Sequence, residues 1–412
     1  MVKLRAFKAL RPREDLVEKI AALPYDTMDT HEARLMAEDN PHTYLKIDRA
    51  EIDLEETIDI HDDRVYEKAR ENLDIFKYKG YLVKDEDPSI YIYRQIMDGR
   101  VQTGLVACVS IDDSINNIIK IHEHTKPNKV EDRTKHIRYC QAHTGTILLT
   151  YHEDEKIDKI IENETLKMPL YNFTTDDNIS HTVWKLEKEL GQKIEELFDK
   201  NVGALYIADG HHRSKSAVNY AVSMKENDPD YNPDKEYNYY PAVIAPKNQL
   251  YVMDYNRVLR DLNGLDKDEF FKAIKENFYI SPQAKAYKPD KKYTFGMYID
   301  KNWYKLELIN LDQLGDDTVK NLDVSILHDL LIEPILDIEI PQKDPRIDFI
   351  GGIRGLGEIE KKVDSGEFVV GFSLFPTGLE ELMRVADEDK IMPAKSTWFE
   401  PKVRCGLFVH EF

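Results

Sequence analysis

Cysteine is scarce in this chain. Cys108, Cys140 and Cys405 stand far apart, odd in number and with no CxxC pair among 412 residues. That excludes a disulfide framework and sets the expectation of reduced thiols in a cytoplasmic protein. Positive charge is also in deficit: 57 Lys and Arg face 77 Asp and Glu, a formal net charge of −20. A general nucleic-acid or anionic-membrane binder needs a basic face, so both classes are disfavoured, although a small local phosphate site is not. Long hydrophobic runs are missing. The longest, such as "FVVGFSLF" (368–375), fall far short of a membrane span, and "MVKLRAFKALRP" has no apolar signal core. No internal repeat, no low-complexity tract and no GxxxxGK[ST] occurs. The glycines of "GGIRGLGE" (351–358) read as turns more readily than as a nucleotide loop.

What remains is a chain long enough for two or three domains, with 42% hydrophobic residues to fill their cores. Periodicity predicts a helix over 57–80, ended by Gly80, then two strands around the Asp98-Gly99 turn. Strands are expected at 116–122, 145–151 and 204–208, and helices at 129–143 and 211–227. Residues 240–259 read as a strand pair. Beyond them come a helix at 267–278, strands at 292–299 and 303–309, a helix at 324–336, and a strand–helix–strand passage over 347–375. This mixture points to an α/β or α+β fold. The expected division is an N-terminal α/β region (1–109), a catalytic core (110–260) and a C-terminal α/β domain with a site-closing loop (261–412).

The densest chemistry lies in "YIADGHHRSKSAVNY" (206–220). A short apolar run ends at Asp209-Gly210, and helical spacing begins at His211. The first N–H groups of a helix lack partners and its dipole favours anions there. Gly210 would let a ligand approach the backbone, Arg213 offers a planar fork for phosphate oxygens, and His211 and His212 add donors. Asp209 could cap the helix or hold Mg²⁺. A helix cap with packed histidines is the plainer reading, but several polar residues in succession after a buried strand favour an anion site.

A second cluster, "HEHTKPNKVEDR" (122–133), is locally basic in an acidic chain. Glu123 beside His122 and His124 suits a general base, while Lys126, Lys129 and Arg133 could neutralise phosphate. An ordinary solvated loop leading into a helix explains Lys129, Glu131 and Asp132 at least as well. The zinc motif HExxH is absent, since Lys126 occupies the place of its second histidine. Zinc held by His122, His124, His211 and His212 stays open.

"DGHHR" between strand and helix resembles the second signature box of the ParB/sulfiredoxin superfamily. Sulfiredoxins carry a cysteine in that box where this chain has His211, and partition proteins carry an arginine-rich version with DNA-binding helices that are not evident here. The box, with an upstream His-Glu, is most similar to that of the superfamily's free-serine kinases. Over nearly its whole length the chain also resembles the prokaryotic domain of unknown function 1015, through "FKALRP", "ALPYDTM", "HEHTKPNKVEDR", "HTGTILLTY", "YIADGHHR" and "MPAKSTWFEPKVRCGL" in that order.

The resemblance implies a ParB/sulfiredoxin-like central core and a kinase. ATP or ADP would be the donor with Mg²⁺, and free L-serine the acceptor. Glu123 would be the base, and Asp209, His211, His212 and Arg213 would handle the phosphates. Gly210, His122, Thr125, Lys126 and Arg133 would help bind the nucleotide. Lys395, Ser396, Thr397 and Lys402 would contact phosphate or amino acid from a C-terminal loop, while Tyr25 and Asp26 are as readily a turn. Neither nucleic acid nor membrane is an expected partner, and a homo-oligomer stays open. The alternatives are a nucleotide-binding regulator without transferase activity and a zinc-dependent hydrolase.

Overall fold

In a computed structural model, residues 1–312 and 314–412 are described. They divide into two compact units. The first comprises residues 1–121, 125–250 and 401–412; the second comprises 122–124 and 251–400.

The first unit is built on a nine-stranded mixed sheet. Its strands in chain order are β1 (Leu4–Arg5), β2 (Tyr91–Met97), β3 (Arg100–Ser110), β4 (Ile119–Lys120) and β5 (Ile147–Tyr151), then β6 (Tyr171–Thr174), β7 (Ser180–Lys185), β8 (Leu205–Asp209) and β9 (Tyr239–Pro246). The spatial order is β4-β8-β5-β9-β3-β2-β7-β6, with β1 beside β3. The β8–β4 and β9–β5 pairs are parallel, and the rest are antiparallel. The middle strands are buried along nearly their whole length, which is why β5 and β9 read as continuous apolar runs rather than alternating ones. The expected boundary at 109/110 falls inside β3, whose residues pair with β1 and β2 on one side and β9 on the other.

The unit also holds several helices. Among them are α1 (Asp63–Tyr78), α2 (Pro127–Cys140), α3 (Glu155–Glu164), α4 (Lys188–Asn201) and α5 (His211–Asn227). Ile194, Leu197 and Phe198 of α4 and Ala217 and Ala221 of α5 pack with Leu105, Ile147, Leu149, Ile207 and Ile244. Each large aliphatic side chain so buried contributes roughly 1.5–3 kcal/mol. The helix α1 begins at Asp63 rather than Thr57, because the Asp62 carboxylate accepts from the Arg64 N–H at 2.9 Å and caps it there. The strand expected over 116–122 shrinks to β4, since a short helix over Ile111–Ile115 ends in Asn117 at a left-handed φ of 56°. Residues 401–412 return to this unit: Cys405 and Ala22 exchange backbone hydrogen bonds, as do Val409 and Leu10.

The second unit is centred on a six-stranded antiparallel sheet. After β10 (Tyr251–Met253) come β11 (Tyr255–Leu259), β12 (Phe278–Gln283), β13 (Thr294–Ile299), β14 (Asn302–Leu308), β15 (Ile347–Gly351) and β16 (Val370–Leu374), and β17 (Trp398–Glu400) pairs with β10. The sheet order is β12-β14-β13-β16-β11-β15. The expected boundary at 260/261 falls just after β11. Its helices include α6 (Lys267–Ile274), α7 (Asp323–Leu336), α8 (Leu356–Asp364) and α9 (Leu379–Asp387). Periodicity predicts α7 as one regular helix, but a π-helical turn occupies His328–Ile332. Pro334 has no N–H to give the Leu330 carbonyl, and the Asn277 side chain supplies that bond at 3.2 Å.

Candidate active site

The strand-to-helix corner forms as the sequence pattern requires. Leu205–Ala208 are buried in β8, and α5 begins at His211. Between them Gly210 has φ 99°, a region costly for any residue with a Cβ. A Cβ there would also meet the Arg213 Nη2 at 3.1 Å and Nε at 3.3 Å. The glycine therefore lets the Arg213 guanidinium fold back over the corner. No side chain caps the start of α5.

Opposite charges meet at the corner. Asp209 faces two cations, the Lys402 Nζ at 3.4 Å from its Oδ1 and the Arg213 Nη2 at 3.5 Å from its Oδ2. Burial would raise the Asp209 carboxyl, but Lys402 and Arg213 outweigh it and hold it below the ordinary carboxylate range. Arg213 also donates to the Thr146 carbonyl. Burial pushes the His211 imidazole down to about 4, against the pull of Asp209, so it is neutral at pH 7. Asp209 is thus held between two cations at an uncapped helix start, an end of the helix dipole that favours negative charge.

The second cluster reaches this corner through Lys126, whose backbone N–H donates to the His212 Nε2 at 3.0 Å. That bond takes one ring nitrogen of His212 away from any metal. Thr125 and Lys126 lead directly into α2, where Pro127 sits at the first turn. Ser216 of α5 donates to the Val130 carbonyl of α2 at 2.9 Å, locking the two helices together. Arg133, one turn on, is largely buried. It donates to Asp132 at 2.7 Å and to the Asp48 carbonyl at 3.3 Å, and it lies 4.3 Å from the Tyr25 ring centre. Burial would raise Asp132, but Arg133 and the Tyr66 hydroxyl hold it at about 2. A cavity of about 30 Å³ is lined by Tyr25, Arg133 and Arg213, among others. It has room for about one water. Arg133 thus sits beside Arg213 with its own fork engaged.

The remaining predicted residues belong to the second unit. His122 is buried; its carbonyl accepts from the Met392 N–H at 2.9 Å, and its Nε2 lies 3.5 Å from the Thr397 Oγ1. The His-Glu pair and the C-terminal loop, distant in sequence, are therefore neighbours. Lys395 takes a left-handed φ of 63°, and its ammonium lies 5.3 Å from the Tyr255 ring centre. The Ser396 hydroxyl donates to the Pro393 carbonyl, which closes a turn, while its carbonyl accepts from Thr377 at 2.9 Å. Glu123 is half-buried and His124 exposed.

Asp209 suits Mg²⁺ poorly. Each of its oxygens already faces a cation, so the metal-ligand expectation gives way to one in which Asp209 orients Arg213 and Lys402. Sequence reasoning weighted Tyr25 and Lys402 too lightly. The signal for Lys402 was the basic pattern "PKVRCG" in an acidic chain; Tyr25 had none beyond its place in "ALPYDTM".

A mixed α/β fold with a charged corner between a strand and a helix describes the protein. The chain belongs to the family described as "Protein of unknown function (DUF1015)", which it matches over residues 4–325. No curated protein matches it. Among solved structures it is similar to SbnI with a C-terminal truncation from Staphylococcus aureus, at 12% identity and TM-score 0.38, covering 73% of this chain and 85% of that one. A conserved hypothetical protein from Pyrococcus furiosus is 13% identical at TM-score 0.34, with 73% and 95% covered. A free serine kinase in complex with AMP is 13% identical at TM-score 0.35, with 73% and 92% covered. Likenesses this distant carry no argument about function. Among the described residues no helix is long and apolar enough to cross a membrane.

Proposed function

We propose that this protein is a cytoplasmic kinase that transfers a phosphoryl group from ATP or ADP to the hydroxyl of free L-serine, giving O-phospho-L-serine. The observation that carries this reading is Arg213, folded over Gly210 at an uncapped helix start beside the neutral His211. The "DGHHR" box and the His122-Glu123 pair supply the choice of reaction. Glu123 accepts the proton from the serine Oγ. The Oγ forms a bond to the terminal phosphorus as the phosphoanhydride bond breaks, and ADP or AMP leaves with that electron pair. Arg213 and the α5 N–H groups stabilise charge on the transferring group, and His211 donates as a neutral imidazole. Glu123 stands three residues before Lys126 in the chain, and the Lys126 amide holds His212. That short connection supports pairing the base with the box.

Incubation of the full chain with L-serine, MgCl₂ and either nucleotide is expected to yield O-phosphoserine, read by mass spectrometry. No product with ATP or ADP would sink the serine assignment. A Glu123→Gln variant with undiminished rate would remove Glu123 as the base.

A further inference from the structure

Arg257 lies in the middle of β11, a strand paired on both sides, with Phe349 of β15 and Phe372 of β16 as its register partners. Its neighbour Val258 points into the apolar cluster of Tyr298, Trp303, Ile350 and Ile359, so alternation turns Arg257 to the other face of the sheet. There it is only 4% exposed. Its guanidinium donates to the Lys395 carbonyl at 3.0 Å and to the Tyr255 carbonyl, and lies 5.4 Å from the Phe349 ring centre. Among the described residues no carboxylate forms an ion pair with it. Burial accordingly lowers its pKa to about 10, still charged at neutral pH. A buried cation without a counter-charge is costly.

Arg257 opens onto a cavity of about 190 Å³. Val324, Ile332, Ile347 and Phe349 give it apolar walls, His328 lines it from the π-helical turn of α7, and the exposed Glu339 contributes a carboxylate. The His328 Nδ1 is buried with no hydrogen-bond partner. π-Helical turns recur at functional sites, where they re-aim a side chain. Pro393 and Ala394, from the loop "MPAKSTW", complete the wall. The volume is below the ~300 Å³ at which pockets begin to take drug-sized ligands, which favours a small one. One buried guanidinium beside largely apolar walls, with the Glu339 carboxylate also on the lining, suits a single negative charge on an apolar body better than a phosphate dianion.

We propose that this cavity binds a small organic carboxylate with a short apolar body, its carboxylate on Arg257 and its body against Phe349, Val324 and Ile332. The site lies within the second unit and is independent of the kinase reading.

The test titrates the full chain with isobutyrate and, separately, inorganic phosphate, reading protein chemical shifts by NMR. Saturable binding of isobutyrate, at least tenfold tighter than phosphate and lost in Arg257→Met, is the expected result. No saturable isobutyrate binding, equal affinity for phosphate, or binding retained in Arg257→Met would each overturn it. A wild-type crystal soaked in isobutyrate gives a readout that does not need the variant to fold. Density bridging Arg257 and Phe349 is expected, and an empty cavity overturns the site.

Discussion

The two units treat buried positive charge differently. In the first, Arg213 and Lys402 share Asp209, Arg133 meets Asp132, and Arg404 meets Asp177. In the second, the half-buried Lys292 meets Glu381, yet the deeply buried Arg257 has, among the described residues, only carbonyl oxygens and a ring. A shared carboxylate fixes where two cations point. A lone guanidinium keeps its whole charge for one resident anion. On the proposed readings, the first arrangement would serve turnover and the second retention.

Four experiments break or sharpen this contrast, from the largest expected effect down. Arg213→Ala should lower the rate of O-phosphoserine formation by about 10³-fold, the scale of an arginine that stabilises a transferring phosphoryl group. A rate within tenfold of wild type would show that the corner is structural. Next is pH. His211 is held at about 4 when folded against an ordinary value of 6.5. The unfolded chain therefore takes up its proton first as pH falls, and stability is complete above 6.5. It should decline between 6.5 and 4 by ~1.4 kcal/mol per pH unit, on the order of 3 kcal/mol in all. His211→Gln should flatten that limb of a urea-denaturation profile; an unchanged slope assigns the loss to other groups, His181 among them, which burial lowers to about 3. Asp209→Asn comes third. It leaves Arg213 and Lys402 facing each other, and because Asp209 is partly exposed the cost should be about 1–2 kcal/mol by chemical denaturation. Arg257→Met is the counterpart. Replacing an unpaired buried cation by an apolar side chain of similar length should leave stability equal or raise it by ~1 kcal/mol. A loss comparable to that of Asp209→Asn would erase the contrast.

Much of the corner was legible in advance. The helix expected over 211–227 is α5, and the apolar run before it is β8. Both are local: a short buried strand, a glycine where φ must be positive, then helical spacing. The pattern read above places no element between β5 and β8, although Asp154 caps α3 through the Lys156 and Ile157 N–H groups and its Ile157 and Ile161 repeat at helical spacing. That signal was readable. What could not be read is long-range. Nothing near Tyr25 tells that its ring will lie under Arg133, and nothing near Lys402 tells that it will meet Asp209. The division of the chain is of the same kind. A strand such as β3 carries no mark of which neighbours it will recruit, so the pairing of β1, β2 and β9 around it is invisible in composition.

The first unit is interrupted: residues 251–400 are inserted before residues 401–412 complete it. On the ribosome, the Leu10, Ala22 and Asp209 partners of that final stretch are made long before Val409, Cys405 and Lys402 emerge. A chain that ends before residue 401 has Arg213 in its sequence but no Lys402 to place opposite Asp209. The charge pairing of Asp209 is thus completed only once residues 401–412 have been made, and a shorter translation product carries the "DGHHR" motif without Lys402.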